Sequence, residues 1–152
     1  MDHWSLIAGT FLYCVGSAVI PVMHAEAYLI TVSALSPPAV AWALVVAATA
    51  GQMVGKLAMY AAGRGALRIP NAWLQRRIAA AAARYEGRRN IGNGLIFISS
   101  STGLPPFYVI SVAAGMLRVP VPSFILFGAA GRFIRFTLAV FLPQLIKAWS
   151  KS

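Results

Sequence analysis

Acidic residues are nearly absent from this chain. Of 152 residues, only Asp2, Glu26 and Glu86 are acidic, and charged residues of both signs total 11%. A soluble domain carries about 25% charged residues, so this composition excludes an ordinary solvated surface. It also excludes acid–base chemistry on paired carboxylates: the apolar segments offer only Glu26 and His24, with no nucleophile–base pair and no cluster of metal ligands. No catalytic residue, metal or cofactor is therefore expected. Cysteine is limited to Cys14, which rules out an intrachain disulfide and reads as a small core residue. The first residues, Met-Asp-His-Trp, lack the basic region of a signal peptide, and the apolar run continues beyond Pro21, so this segment is read as retained.

What the chain has in abundance is apolar surface: 59% hydrophobic residues and a mean hydropathy of +0.74. It reads as an all-α integral membrane protein with a single membrane domain, residues 1–152. Four apolar blocks follow one another. The first, 5–35, is interrupted between Pro21 and Glu26, and its arms of about 16 and 9 residues fall short of the ~20 that a spanning helix needs. Pro37 and Pro38 force a turn, and 39–62 is then long enough to span. The third block, 91–117, is interrupted between Ser99 and Pro106, at Gly103, Pro105 and Pro106. After a turn rich in proline, 123–146 can span again.

The order is a broken hairpin and a spanning helix, twice over. The first repeat covers 5–62 and the second 91–146, and the spacing from Glu26 to Gly51 equals that from Pro106 to Gly131. Corresponding interrupted segments in two halves point to an inverted repeat of two re-entrant helical hairpins around a transport site. The alternative is two kinked helices that span fully.

The net charge of +10 is no sign of nucleic-acid binding. Its excess lies in the loop 63–93, which carries seven arginines against Glu86 and is therefore expected in the cytoplasm, with both termini outside. Lys147 and Lys151 oppose that orientation weakly. Within the connector 63–90, Leu74, Ile78, Ala81 and Tyr85 share one helical face while Arg77, Arg84 and Arg88 line another. This makes a basic amphipathic helix that either meets anionic headgroups or only fixes topology.

Polar residues inside the apolar blocks are the candidate site. A carboxylate at membrane depth costs about 2.5–3.5 kcal/mol on the mildest insertion scale, so Glu26 is a functional-site candidate by default. Gln52 and Lys56 share a face of the second block, beside Gly51 and Gly55, whose small-residue spacing allows close helix approach. Arg132 and Arg135 share a face of the fourth. Glu26 can offset only one of Lys56, Arg132 and Arg135, and the remaining positive charge calls for an anion, with arginine suited to phosphate. The alternative for the two arginines is snorkelling to the interface. His24 either shares a proton with Glu26 or satisfies the break. Ser101 and Thr102 either donate to a phosphate or satisfy the broken backbone.

These residues resemble the DedA family, also called VTT-domain or SNARE-associated membrane proteins, in particular its short bacterial branch. The likeness is carried by Pro21 to Glu26, Gly51 to Gly55, Tyr60 to Arg64, Ala113 to Met116, and Gly131-Arg132 with Arg135. It implies two membrane-embedded re-entrant hairpins, each followed by a transmembrane helix, in the bacterial cytoplasmic membrane. It further implies transport of undecaprenyl phosphate with proton coupling, or scrambling of phospholipids as in eukaryotic relatives. By position, Glu26 matches the acid of the first hairpin, and Thr102 to Pro106 the second break. Where longer members carry an aspartate after the helix glycine, this chain has Lys56.

The expected function is therefore that of a transporter or flippase for a lipid phosphate, with membrane lipids as partners and a homodimer compatible with so small a membrane domain. A small-solute or ion transporter of the same fold is the alternative, and a non-transporting membrane organiser is a further one.

Overall fold

Proline or glycine stands at several helix ends in this chain, among them Pro38, Gly65, Gly103 and Pro106. The computed structural model describes residues 2–20, 23–65, 72, 73, 76, 79, 80, 83 and 87–150. Its helices are α1 (His3–Val19), α2 (Ala25–Ala34), α3 (Pro38–Gly65), α4 (Arg89–Thr102), α5 (Phe107–Met116) and α6 (Val121–Trp149). Among the described residues all regular structure is helical. Two of these expectations fall outside the described residues: the break at Pro21, and the amphipathic face carrying Leu74, Ile78, Ala81, Tyr85, Arg77 and Arg84.

The two long helices, α3 and α6, are long and apolar enough to cross a membrane, over Pro38–Gly65 and Val121–Ile146. Both exceed the apolar blocks that predict them. Proline tolerates a helix start because its missing N–H would have no partner there anyway, which places Pro38 at the head of α3 and Pro122 in the first turn of α6. At the other end, α3 continues past Ala62 to Gly65, where Arg64 in the last turn complements the negative end of the helix dipole. α6 likewise runs beyond Ile146 to Trp149 and accommodates Pro143 in its interior.

The remaining helices, of 17, 10, 14 and 10 residues, are each shorter than the ~20 needed to span. They pair: α1 lies against α2, and α4 against α5. In the first pair, Thr10 and Tyr28 share a hydrogen bond of 3.2 Å between hydroxyls, and the rings of Tyr13 and Tyr28 stack 4.1 Å apart. The second break is built from short-range bonds. Gly103 takes a left-handed conformation (φ 83°) that glycine adopts without strain, and its N–H closes α4 on the Ser99 carbonyl at 2.9 Å. The Ser99 hydroxyl crosses the break to the Pro105 carbonyl at 2.5 Å.

The chain forms two compact units. The first comprises Met1–Gly55 and Arg132–Ser152, and the second Lys56–Gly131. Each therefore combines one helix pair with a part of both long helices. The core of the first unit joins Cys14 of α1, Ala25 and Leu29 of α2, Ala41, Leu44, Val45 and Ala48 of α3, and Phe136 and Val140 of α6. Here α3 approaches α1 closely. A Cβ at Gly51 would overlap the Phe11 carbonyl oxygen, and one at Gly55 would overlap Ala18 and lie 2.8 Å from the Val15 carbonyl oxygen. In hydrocarbon, where burial alone does not drive helices together, such backbone proximity supplies the contact. The second unit packs Phe107 and Tyr60 around Phe124, with ring centroids 6.0 and 5.2 Å away. The Tyr60 hydroxyl donates to the Val119 carbonyl at 2.5 Å, tying α3 to the turn before α6.

Candidate functional site

The break before α2 places Glu26 in the first turn of that helix, where the positive end of the helix dipole favours a carboxylate. α6 brings two guanidiniums to it. Arg132 and Arg135 lie three residues apart and so share a face of the helix. Arg135 donates from Nε to Glu26 Oε1 at 2.6 Å, and Nη1 of Arg132 lies 3.6 Å from the same oxygen. The side chains of Glu26 and Arg135 keep 28% and 29% of their surface exposed, whereas Arg132 is down to 10%. The Arg132 guanidinium also sits 6.0 Å from the centroid of the Phe136 ring. Two cations against one anion leave an excess positive charge in an apolar region that water reaches only in part.

The other residues singled out in the sequence occupy distinct places. His24 is exposed and is the N-cap residue of α2, without a side-chain capping bond. Gln52 is buried in the first unit and donates from Nε2 to the Ser17 hydroxyl at 2.6 Å, and Ser17 in turn donates to the Cys14 carbonyl at 3.0 Å. This chain of bonds holds α3 to α1. In the second unit, Ser101 donates to the Phe97 carbonyl at 2.9 Å and Thr102 to the Ile98 carbonyl at 2.7 Å. Both hydroxyls are thus engaged by the last turn of α4. Pro106 caps α5, and the Pro105 carbonyl serves Ser99.

Lys56 is buried in the second unit, with Nζ 4.0 Å from the Met59 sulfur and 6.0 Å from the centroid of the Tyr108 ring. Tyr108 is the second residue of α5, as Glu26 is the second residue of α2. Each unit therefore presents a cation from a long helix to the second residue of a ten-residue helix. In the first unit that residue is a carboxylate; in the second it is an aromatic face, which attracts a cation more weakly.

Sequence reasoning missed Ser17, Tyr108 and the Tyr13–Tyr28 stack. Tyr28 had a usable signal, two residues beyond Glu26 at the start of a short helix. Ser17 and Tyr108 had none, because their partners lie on other helices. Among the described residues no three His, Cys, Asp or Glu side chains gather as metal ligands would. A set of one carboxylate and two guanidiniums is suited instead to binding an anion, with the carboxylate as internal counter-charge.

Comparison with known proteins gives one result. The model of the VTT domain matches residues 20–145, a stretch that contains Glu26, Lys56, both breaks, Arg132 and Arg135. No curated protein and no solved structure matches the chain.

Proposed function

The chain belongs to the VTT domain family, a family of membrane proteins, and from that premise we propose that it carries a lipid phosphate, undecaprenyl phosphate or a phospholipid, across the cytoplasmic membrane. The family is associated with transport- and flippase-type function and is regarded as transporter-like rather than enzymatic. The observation that carries the proposal is the convergence of Arg132 and Arg135 on a single oxygen of Glu26. A charge excess held in a partly dry, apolar place is costly unless an anion completes it, and the planar guanidinium matches the geometry of phosphate. Arg132 and Arg135 hold the phosphate in this reading. Glu26 balances them and is the group for proton coupling, while Lys56 supplies the cation of the second unit.

The paired short helices and the two long ones support a mechanism. Each pair is a hairpin that re-enters the membrane, the two halves form an inverted repeat, and the pairs open alternately to the two sides with the lipid tail left in the bilayer. The connector rich in arginine lies in the cytoplasm. Reconstitution into proteoliposomes tests the proposal directly. The wild type should move undecaprenyl phosphate between leaflets, and Glu26→Gln and Arg132→Ala should each slow it at least tenfold. Transport that persists in both variants would remove the site, and a wild type without transport would remove the function.

A further inference from the structure

The first unit offers a second place for a ligand, on another side of α2 from Glu26. α1 turns His3, Leu6, Thr10 and Tyr13 to one face, at helical spacings of three and four, and α2 turns Tyr28, Val32 and Leu35 to one face in the same way. Near the break these faces are closed. Thr10, fully buried, shares its 3.2 Å hydrogen bond with Tyr28, and the Tyr13 and Tyr28 rings stack. Seven residues further along each helix, roughly 10 Å away, they stand apart. There His3 and Leu6 on one side and Tyr28, Val32 and Leu35 on the other line a cavity of about 500 Å³, with Ser36 and Pro37 at its mouth. Packed helices leave few voids larger than a water molecule, and this volume is within the range of ~300–1,000 Å³ typical of ligand sites.

We propose that the cleft between α1 and α2 binds a zwitterionic phospholipid, with one acyl chain between the helices and the headgroup at the mouth. Phospholipid is at hand in the membranes where the family resides, whatever the Glu26 site carries. The apolar walls, Leu6, Val32 and Leu35, suit a hydrocarbon chain, and the Tyr28 ring closes the inner end. The mouth suits a headgroup with both signs of charge. α1 begins at His3 and α3 directly after Pro37, so the positive ends of two helix dipoles flank it, where a phosphate is favoured. Asp2, exposed and next to His3, adds a carboxylate for an ammonium group. Trp4 and Trp42, in the first turns of α1 and α3, are 82% and 49% exposed, as tryptophans at the headgroup level of a membrane are.

The test reconstitutes the full-length protein in vesicles of phosphatidylethanolamine and phosphatidylglycerol. A trace of phosphatidylethanolamine with a photoreactive diazirine in one acyl chain is added, and the labelled residues are read by mass spectrometry. Leu6, Tyr28 and Val32 should be labelled more strongly than Leu138 of α6, which is 54% exposed and outside the cleft. Val32→Phe fills the cleft and displaces about two methylenes of the chain, which should lower the labelling of Leu6 and Tyr28 about tenfold and leave Leu138 as it was. Leu6→Phe fills the cleft from the opposite wall and should do the same to Tyr28 and Val32, which covers the case of a Val32 variant that does not fold. A diacylglycerol with the same photoreactive chain lacks the headgroup and should label the cleft severalfold less. Labelling of the cleft no stronger than that of Leu138, labelling that both fillings leave unchanged, or equal labelling by the diacylglycerol would each overturn the proposal.

Discussion

At the scale of single residues, Arg132 decides the energetics of the site. Its side chain is nine-tenths buried, and its formal counter-charge is Glu26 at 3.6 Å. Removing one partner of a buried pair strands the other, whereas removing the pair together need not cost stability. Glu26→Gln should therefore destabilise the protein by about 1–3 kcal/mol, between the values for exposed and fully buried pairs. Arg132→Met should cost less, because Glu26 keeps its 2.6 Å bond to the more exposed Arg135. The double variant should be more stable than Glu26→Gln alone. Unfolding midpoints in detergent would order the three. A double variant at the sum of its parts would mean that the two side chains do not interact. The site was legible in the sequence to this extent: a lone acid among apolar residues and arginines three apart on one helical face are both patterns of a linear chain. That both arginines meet the same carboxylate oxygen depends on how α6 folds back to α2, and no local pattern encodes it.

At the scale of helices, glycine spacing governs how closely they approach. Gly51 faces the backbone of α1, where a Cβ would overlap the Phe11 carbonyl oxygen, while nothing lies within 4 Å of a Cβ built at Gly9 of α1. Gly51→Ala must push two helices apart and should cost about 1–3 kcal/mol, as overpacking does. Gly9→Ala should be neutral or stabilising by up to about 1 kcal/mol, since alanine is the better helix former. Thermal midpoints of the two variants make the comparison, and equal loss in both would show that helix propensity rather than α1–α3 contact is measured. The second break itself was legible because Gly103, Pro105 and Pro106 act on the backbone within a few residues. The use of the hydroxyls was less so. Ser101 and Thr102 bond to their own helix, and Ser99 instead bridges to Pro105. A serine-rich run reads the same whether its hydroxyls serve a ligand or a helix end, because the choice depends on rotamers that sequence does not specify. Tyr108 was invisible for a different reason: its contact with Lys56 joins α5 to α3 across more than fifty residues.

At the scale of the whole molecule, membrane topology separates the hairpin reading from that of kinked spanning helices. If α1 and α2 form a re-entrant pair, Asp2 and Leu35 lie on the same side of the membrane; if together they make one kinked span, the two residues lie on opposite sides. The same holds for Gly87 and Arg118, which flank α4 and α5. Both readings have α3, which is long and apolar enough, cross the membrane, and so both put Leu35 opposite Gly87. Cys14 is fully buried in the core and is replaceable by alanine at the cost of a small cavity, giving a background without thiols. Single cysteines at Asp2, Leu35, Gly87 and Arg118, all exposed positions, can then be labelled in intact cells with a membrane-impermeant thiol reagent. With the connector in the cytoplasm, as proposed from its arginines, cysteine at Asp2 and Leu35 should react from outside, and at Gly87 and Arg118 only after permeabilisation. Opposite reactivity of Asp2→Cys and Leu35→Cys would turn the first pair into a kinked span. The two breaks would then no longer be hairpin tips at membrane depth, and alternating access between two hairpins would lose its structural basis.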